Sequence, residues 1–325
     1  MLITRTPFRV SFFGGGTDYR EYFEEYGGSV LSTSIDKYCY VTFRNLPALF
    51  DYKNQLTYSK IERFNNPVEL QHPLVRAALQ YIPTDRIQIS YDADLPACSG
   101  LGSSSAFAVA LLQGLHGMKG ESPEKLTLAK EAIHLERVLC NEAGGVQDQI
   151  AAAFGGLNRL DFSKDGYKVT PIEISAERLT EFQDNLMLLF TGFTRYSAII
   201  STAQKNSIPS TLSQLHEMKG LVSVAESILK SGNLDDFGRL LNHTWKLKRS
   251  LTDNISTPQI DAMYEKALSN GALGGKLLGA GGGGFMLLYA PKDAQEKLKI
   301  CFNEFELVPF RFENEGAKII TRNDA

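Results

Sequence analysis

No run of about 18 uninterrupted apolar residues occurs in the 325-residue chain, so no membrane-spanning helix is expected. The amino terminus, MLITRTPFRVSFFGGG, lacks a basic stretch followed by an apolar run and a small-residue cleavage site, and a cytoplasmic protein is the expectation. Cysteine is scarce. Cys39, Cys98, Cys140 and Cys301 are widely spaced and show no CxxC or Cys/His pattern, which argues against a zinc ribbon or a disulfide scaffold and points to reduced thiols. A basic excess is also missing: 34 Lys+Arg against 37 Asp+Glu leave a net charge of -3, so neither nucleic acid nor an anionic membrane is an expected partner. No period of about 20–50 residues repeats, which excludes a solenoid. A small-molecule partner remains, acting on a monomer or homodimer. At 43% hydrophobic and 22% charged residues the chain can build a core. Its length exceeds the ~100–150 residues of a typical domain, so two domains sharing a cleft are expected, at residues 1–170 and 171–325.

What the chain has in quantity is glycine. Its 28 copies exceed the average of about 7%. Most fall at Gly14 to Gly16, Gly27/Gly28, Gly100/Gly102, Gly144/Gly145, Gly155/Gly156 and Gly274 to Gly284. Clustered glycine marks backbone that approaches something closely.

The patterning is that of an α+β chain. Thr4 to Phe13 reads as a strand entering a tight loop at Gly14, and residues 39–43 and 87–91 as further strands. LPACSGLGSSS then opens a helix carrying Ala106, Val109, Ala110 and Leu115 at helical spacing. A second helix is expected to start with Ser122 as N-cap and Pro123 at the first helical position. Glu136 interrupts its apolar stripe of Ala129, Ala132, Ile133, Leu139 and Cys140, and a carboxylate on a buried face is costly unless paired or bound to a cation. The alternative is an end-of-stripe carboxylate reaching solvent or pairing with Arg137. Residues 186–190 read as a strand, 212–230, 234–247 and 260–268 as helices, FMLLYA as a strand, 292–305 as a helix, and the C-terminus as one or two strands.

Several glycine motifs fail on context. Gly279 to Gly284 satisfies GxGxxG but follows a helix and precedes a strand, the reverse of a dinucleotide-binding turn. Gly275-Lys276 is followed by Leu277 where a P-loop needs Ser or Thr. HExxH and GxSxG motifs and the protein-kinase signatures are missing. What survives is Gly100-Leu101-Gly102-Ser103-Ser104-Ser105 at a helix N-terminus. Its glycines can turn N–H groups towards one point, the helix dipole adds positive charge, and the serines supply hydroxyls for a phosphate-bound Mg²⁺. The alternative is a glycine turn with serine capping. Three further features bear on that choice: Gly14-Gly15-Gly16-Thr17-Asp18 after a strand carrying Arg9, Glu136, and Asp148, which is also placed to cap a helix from Gln149.

These residues, in this order, resemble the GHMP small-molecule kinases, the family of galactokinase, homoserine kinase, mevalonate kinase and phosphomevalonate kinase. TPFRVSFFGGGTDYREYFEEYGGSVLSTSID is similar to the first family motif, PACSGLGSSSAFAVALL to the second and KLLGAGGGGFMLLY to the third, so the likeness spans nearly the whole chain. It implies a two-domain fold, with an N-terminal domain like ribosomal protein S5 domain 2 and a ferredoxin-like C-terminal domain. It also implies ATP and Mg²⁺ as cofactors. Gly100, Leu101, Gly102, Ser103, Ser104 and Ser105 then match the ATP-phosphate loop, Ser104 and Glu136 the Mg²⁺ ligands, Asp148 the catalytic base and Arg9 the basic residue beside it. The stretch from Glu136 to Asp148 is about one residue longer than in mevalonate kinases, which leaves Glu142 as a second candidate ligand. Gly15, Gly16, Thr17, Asp18, Gly145, Gln147, Gly282 and Gly283 match substrate-side positions, with Arg195, Lys276 and Arg20 as candidate cations for a distal phosphate. The Gly281 to Gly284 run is expected to pack against the phosphate loop.

Galactokinases have Glu-His where this chain has Gly15-Gly16, which disfavours galactose. GGGTD, GVQDQ and Thr191-Gly192-Phe193-Thr194-Arg195 are most similar to the branch of heptose 7-phosphate kinases and fucokinase domains, both of which phosphorylate an anomeric hydroxyl. The chain is too short for the pyrophosphorylase domain that accompanies fucokinase in bifunctional enzymes, and a heptose phosphate is the preferred substrate. Fucose or another sugar is the alternative acceptor, a mevalonate-type acceptor a more distant one. A sugar- or nucleotide-sensing module is the non-enzymatic reading.

Overall fold

The computed structural model describes residues 1–193 and 197–322. It is built on two sheets. In the larger, the strands run in the order Lys318–Arg322, Leu2–Phe13, Gly28–Asn45, Ile87–Ala93, Asn54–Thr57 and Ile61–Phe64. Pairing is antiparallel except where Gln55 to Thr57 lie beside Gln88 to Ser90. The 18-residue strand Gly28–Asn45 is long enough to change partners: residues 39–45 pair with Ile87–Ala93, and residues 28–33 with Leu157–Ser163. The smaller sheet places Phe285–Tyr289 between Leu186–Phe190 and Gly274–Leu277. Residues 312–313 and 318–322, on the C-terminal side of the expected division at 170/171, return to the larger sheet.

Helix Ser103–Met118 is buried almost all round, as expected of a helix laid under a sheet. Small side chains let it approach: a Cβ on Gly114 would stand 1.9 Å from the ring of Phe43, and Thr4 Oγ1 donates to Ala110 O at 3.0 Å. An aromatic cluster joins the two halves of the molecule, with Phe237 against Phe12 (5.4 Å between centroids), Phe13 (5.0 Å) and Phe182 (4.6 Å). Phe12 and Phe13 close the first strand, so this packing fixes where the Gly14 loop begins.

The expected strand 186–190 is present, and the three later helices run Leu212–Ser231, Leu234–Arg249 and Pro258–Ser269. Three helix starts differ, the last of them at Pro258, two residues before the expected 260, after the Thr257 cap. The second helix begins at Lys125, because Glu124 is still extended (ψ 150°) and is its N-cap, so Ser122 and Pro123 precede the helix. The helix expected from Gln149 begins at Gln147 and takes Asp148 into its first turn. Its orphan N–H group is satisfied from afar: Gln147 N donates to Asp18 Oδ2 at 3.2 Å, so Asp148 is not needed as a cap. The helix expected over 292–305 ends at Cys301. Helices Arg20–Tyr26, Pro73–Tyr81, Ala176–Asp184 and Ser197–Ser207 carried no expectation.

Candidate active site

The helix N-terminus at Ser103, the Gly14 loop, the start of helix Gln147–Phe154 and the glycine-rich segment after Leu277 converge on one cavity of about 500 Å³. The loop before Ser103 turns by means of Gly100 (φ 82°) and Gly102 (φ 74°), a left-handed conformation that side chains disfavour. Close packing adds a second reason for glycine. A Cβ on Gly100 would stand 2.5 Å from Leu278 O, one on Gly279 would stand 2.5 Å from Gly100 Cα, and one on Gly284 would stand 2.3 Å from Ser99 O. The packing partners of the phosphate-loop candidate are therefore Leu278, Gly279 and Gly284, at the two ends of the glycine run. Gly281 lies against Ile255 and Gly283 against Phe193, which corrects the expectation that the whole of Gly281 to Gly284 packs on the loop.

Arg9, on the first strand, reaches the cavity wall. Its Nε donates to Asp148 Oδ1 and its Nη2 to Asp148 Oδ2, each at 2.8 Å, while Nη1 donates to Gly100 O at 2.7 Å. A planar guanidinium that holds a carboxylate through two parallel bonds fixes both groups in orientation. Asp148 thus stands at the lip of the loop that starts at Gly100. On its other side lies Asp18, 1% exposed, whose Oδ1 accepts from Gly16 N at 2.9 Å. Burial, reinforced by the Asp148 charge, raises the pKa of Asp18 above the ordinary aspartate value. Gly145 presses on it so closely that a Cβ there would overlap the carboxyl.

Glu136 is 1% exposed and sits in a wider turn of the helix, over His134–Leu139, where Cys140 N donates to Leu135 O five residues back. Such a π turn takes up one more residue than an α turn, and these turns concentrate at functional sites. Ser104 Oγ donates to Glu136 Oε1 at 3.2 Å, Ser105 Oγ to Oε2 at 2.7 Å, and Gln149 Nε2 also to Oε2. Arg137 does not neutralise Glu136: its Nε donates to Gly145 O at 3.0 Å and its Nη1 lies 3.9 Å from Glu142. A hydroxyl and a carboxylate beside a helix N-terminus form a hard-oxygen donor set, which suits Mg²⁺ shared with phosphate oxygens. Glu142 lines the same cavity, and burial, with Glu136 nearby, raises its pKa.

Of the other expected residues, Gly15, Gly16, Gly145, Gln147 and Gly283 line the cavity. Thr17 and Leu101 do not. Thr17 Oγ1 donates to Gly14 O at 2.8 Å and holds the turn, and the Leu101 side chain is buried in the core. Gly282 N donates to Ile255 O, away from the lining. Arg20 is exposed and paired with Glu24 at 2.6 Å, outside the cavity, and Arg195 lies outside the described residues. Lys276 lines it, buried, with Nζ donating to Phe12 O at 2.9 Å. Three lining features were missed: Lys248, Ser11, and a wall of Tyr58, His72, Tyr91 and Phe107. A signal for Lys248 was available, since Leu241, Trp245 and Lys248 recur at helical spacing and place a lysine on an apolar stripe. Among the described residues no helix is long and apolar enough to cross a membrane.

The model of the GHMP kinases N terminal domain matches residues 72–156, and that of the GHMP kinases C terminal domain matches residues 224–305. The chain is 29% identical to a D-glycero-alpha-D-manno-heptose 7-phosphate kinase of Campylobacter jejuni, over 97% of each chain. It is 26% identical to a bifunctional fucokinase/GDP-fucose pyrophosphorylase of Arabidopsis thaliana, over 89% of this chain and 30% of that protein. In fold it is similar to a crystal structure titled as a D-glycero-D-manno-heptose 1-phosphate kinase from Bacteriodes thetaiotaomicron, at a TM-score of 0.82, 23% identity and full coverage of both chains. Two family models that together span both halves of the cavity, and kinase relatives aligned end to end, complete the assignment: the chain belongs to the GHMP kinases and is an ATP-dependent phosphotransferase of the sugar-kinase type.

Proposed function

We propose that the protein transfers the γ-phosphoryl group of ATP to the anomeric hydroxyl of a D-glycero-D-manno-heptose 7-phosphate, giving the 1,7-bisphosphate. The observation that carries this reading is the Arg9–Asp148 fork. Its third bond, to Gly100 O, ties Asp148 to the phosphate-loop candidate, and the Asp18 loop lies on its other side in the same cavity. The end-to-end match to the Campylobacter jejuni kinase supports a heptose phosphate, whereas the fucokinase match covers 30% of that protein.

Phosphoryl transfer asks for positioning and charge neutralisation. Backbone N–H groups of Gly100 to Ser105 and the helix N-terminus hold nucleotide phosphate oxygens. Ser104 and Glu136 would hold Mg²⁺, which when bound neutralises charge on the β- and γ-phosphates. Asp18, Gly16 and Gln147 orient the sugar. Asp148 accepts the proton of the anomeric hydroxyl as the new O–P bond forms and the bond to the ADP oxygen breaks. Arg9 keeps that carboxylate aimed and supplies positive charge beside the migrating group. An anomeric hydroxyl is more acidic than an ordinary alcohol, which suits an aspartate, whose unperturbed pKa is about 3.9, as base.

A coupled ADP-release assay tests the reading with heptose 7-phosphate, fucose, mannose and mevalonate as acceptors. Turnover with heptose 7-phosphate well above the others is expected. Turnover of fucose alone would replace the substrate assignment, and binding without turnover of any acceptor would favour a sensor.

A further inference from the structure

The floor of the cavity gathers two buried lysines whose amino groups bond only carbonyl oxygens among the described residues. Lys248, 7% exposed, comes from helix Leu234–Arg249, and its Nζ donates to Leu277 O at 2.9 Å and Gly279 O at 2.5 Å. Lys276, 3% exposed, comes from strand Gly274–Leu277 and donates to Phe12 O alone. An ammonium has three donors, so one on Lys248 and two on Lys276 have no protein partner among the described residues. Among the described residues neither lysine has a carboxylate at ion-pair distance. Ser11, 6% exposed, adds a hydroxyl with no hydrogen-bond partner among the described residues. All three line the cavity.

The nearby charges answer these lysines only in part: Asp18 favours the Lys276 ammonium, but less than burial and Arg9 oppose it. Arg9 is itself cationic, and its fork occupies Asp148. Asp18 is bound to the Gly16 and Gln147 amides. Burial, with Arg9 close by, pulls the Lys276 pKa down to about 7, and burial, with Lys276 and Arg9 close by, pulls that of Lys248 well below the ordinary lysine value. Buried ammonium groups held only by carbonyls are costly unless a ligand brings compensating charge.

We infer that Lys248, Lys276 and Ser11 form a second phosphate subsite, separate from the backbone amides of the Gly100 loop. Its ligand is a phosphate group, either the one an acceptor already carries or the one in transfer. The inference deepens the proposed function and rests on it only for the identity of the acceptor. Because Lys248 also grips Leu277 O and Gly279 O, beside the segment packed on Gly100, the subsite and the loop share one support.

The test is calorimetric titration of two probes into wild type and into the Lys248→Met, Lys276→Met and Ser11→Ala variants. Inorganic phosphate is titrated into the ADP-saturated protein. Heptose 7-phosphate and unphosphorylated heptose are titrated into the free protein. Each lysine variant should weaken a phosphate-bearing ligand at least about tenfold and Ser11→Ala about threefold, while ADP affinity stays within about twofold in Lys276→Met and Ser11→Ala. Loss confined to heptose 7-phosphate, with unphosphorylated heptose unaffected, assigns the subsite to the acceptor's phosphate. Loss confined to inorganic phosphate beside ADP assigns it to the group in transfer. Wild-type affinity of folded lysine variants for both probes would overturn the subsite. If the methionine variants do not fold, Ser11→Ala decides, because that hydroxyl has no hydrogen-bond partner among the described residues: unchanged affinity for both probes would overturn it. Lysine-dependent binding of inorganic phosphate in a protein that does not turn over heptose 7-phosphate would leave the subsite standing and remove the acceptor assignment.

Discussion

The two sides of the cavity meet negative charge by different means. On the loop side, Gly100 to Ser105 offer backbone N–H groups and a helix N-terminus, fixed dipoles whose strength does not depend on pH. On the floor, Lys248 and Lys276 offer amino groups whose charge burial opposes and a bound anion favours, held among the described residues by carbonyl oxygens. The loop is made of consecutive residues and is rigid because backbone packs on backbone. The floor is assembled from three distant elements and depends on what binds there.

The variants that break or sharpen this contrast can be ordered by expected effect. Asp148→Asn, at the meeting of the two sides, should lower kcat by about 10²–10⁴ with ATP binding largely intact, measured by steady-state kinetics and nucleotide titration. Near-wild-type turnover would remove Asp148 as the base. On the loop side, Gly100→Ala forces a Cβ to 2.5 Å from Leu278 O at a φ of 82°, at a cost of about 1–3 kcal/mol or more, and should lower Tm by several degrees along with ATP affinity. Gly220→Ala is the opposite control. Nothing lies within 4 Å of that Cβ on the exposed face of helix Leu212–Ser231, so the change should stabilise by about 0.5–1 kcal/mol.

Glu136→Ala should raise the Mg²⁺ concentration for half-maximal rate about tenfold, and Glu142→Gln should do so less. A larger effect at Glu142 would exchange their roles. A further variant separates floor from loop by pH. Between about pH 7, the folded value for Lys276, and the ordinary lysine value of 10.5, the unfolded chain binds a proton that the folded one does not. Stability from this group therefore rises with pH across that window, by at most about 1.4 kcal/mol per unit, and is flat below it. In Lys276→Met this rise should shrink in Tm measured against pH, the buried Lys248 supplying the rest, whereas Gly100→Ala should shift the curve without changing its slope.

The same contrast explains what could be read from the sequence. The loop was legible because its glycines and serines are neighbours, and Arg9, Asp18, Glu136 and Asp148 because each breaks a local pattern. The start of the Gln147 helix was misread because its cap is Asp18, more than a hundred residues earlier. Ser122 and Pro123 have the right chemistry for a helix start, but the chain stays extended through Glu124. Ser11 and Lys248 gave no joint signal, since they meet only where helix Leu234–Arg249 packs on the third motif and that motif on the first strand. The return of residues 318–322 to the edge of the first strand is likewise a tertiary event, invisible to local periodicity.

The claim at the centre of this account is that the phosphoryl group arrives on the anomeric oxygen. Phosphorus NMR of the product formed from ATP and heptose 7-phosphate tests it directly. The account predicts a second sugar phosphate resonance coupled to the anomeric proton, one per ADP released. ADP release without a new sugar phosphate, or a phosphate coupled to any other ring position, would contradict it.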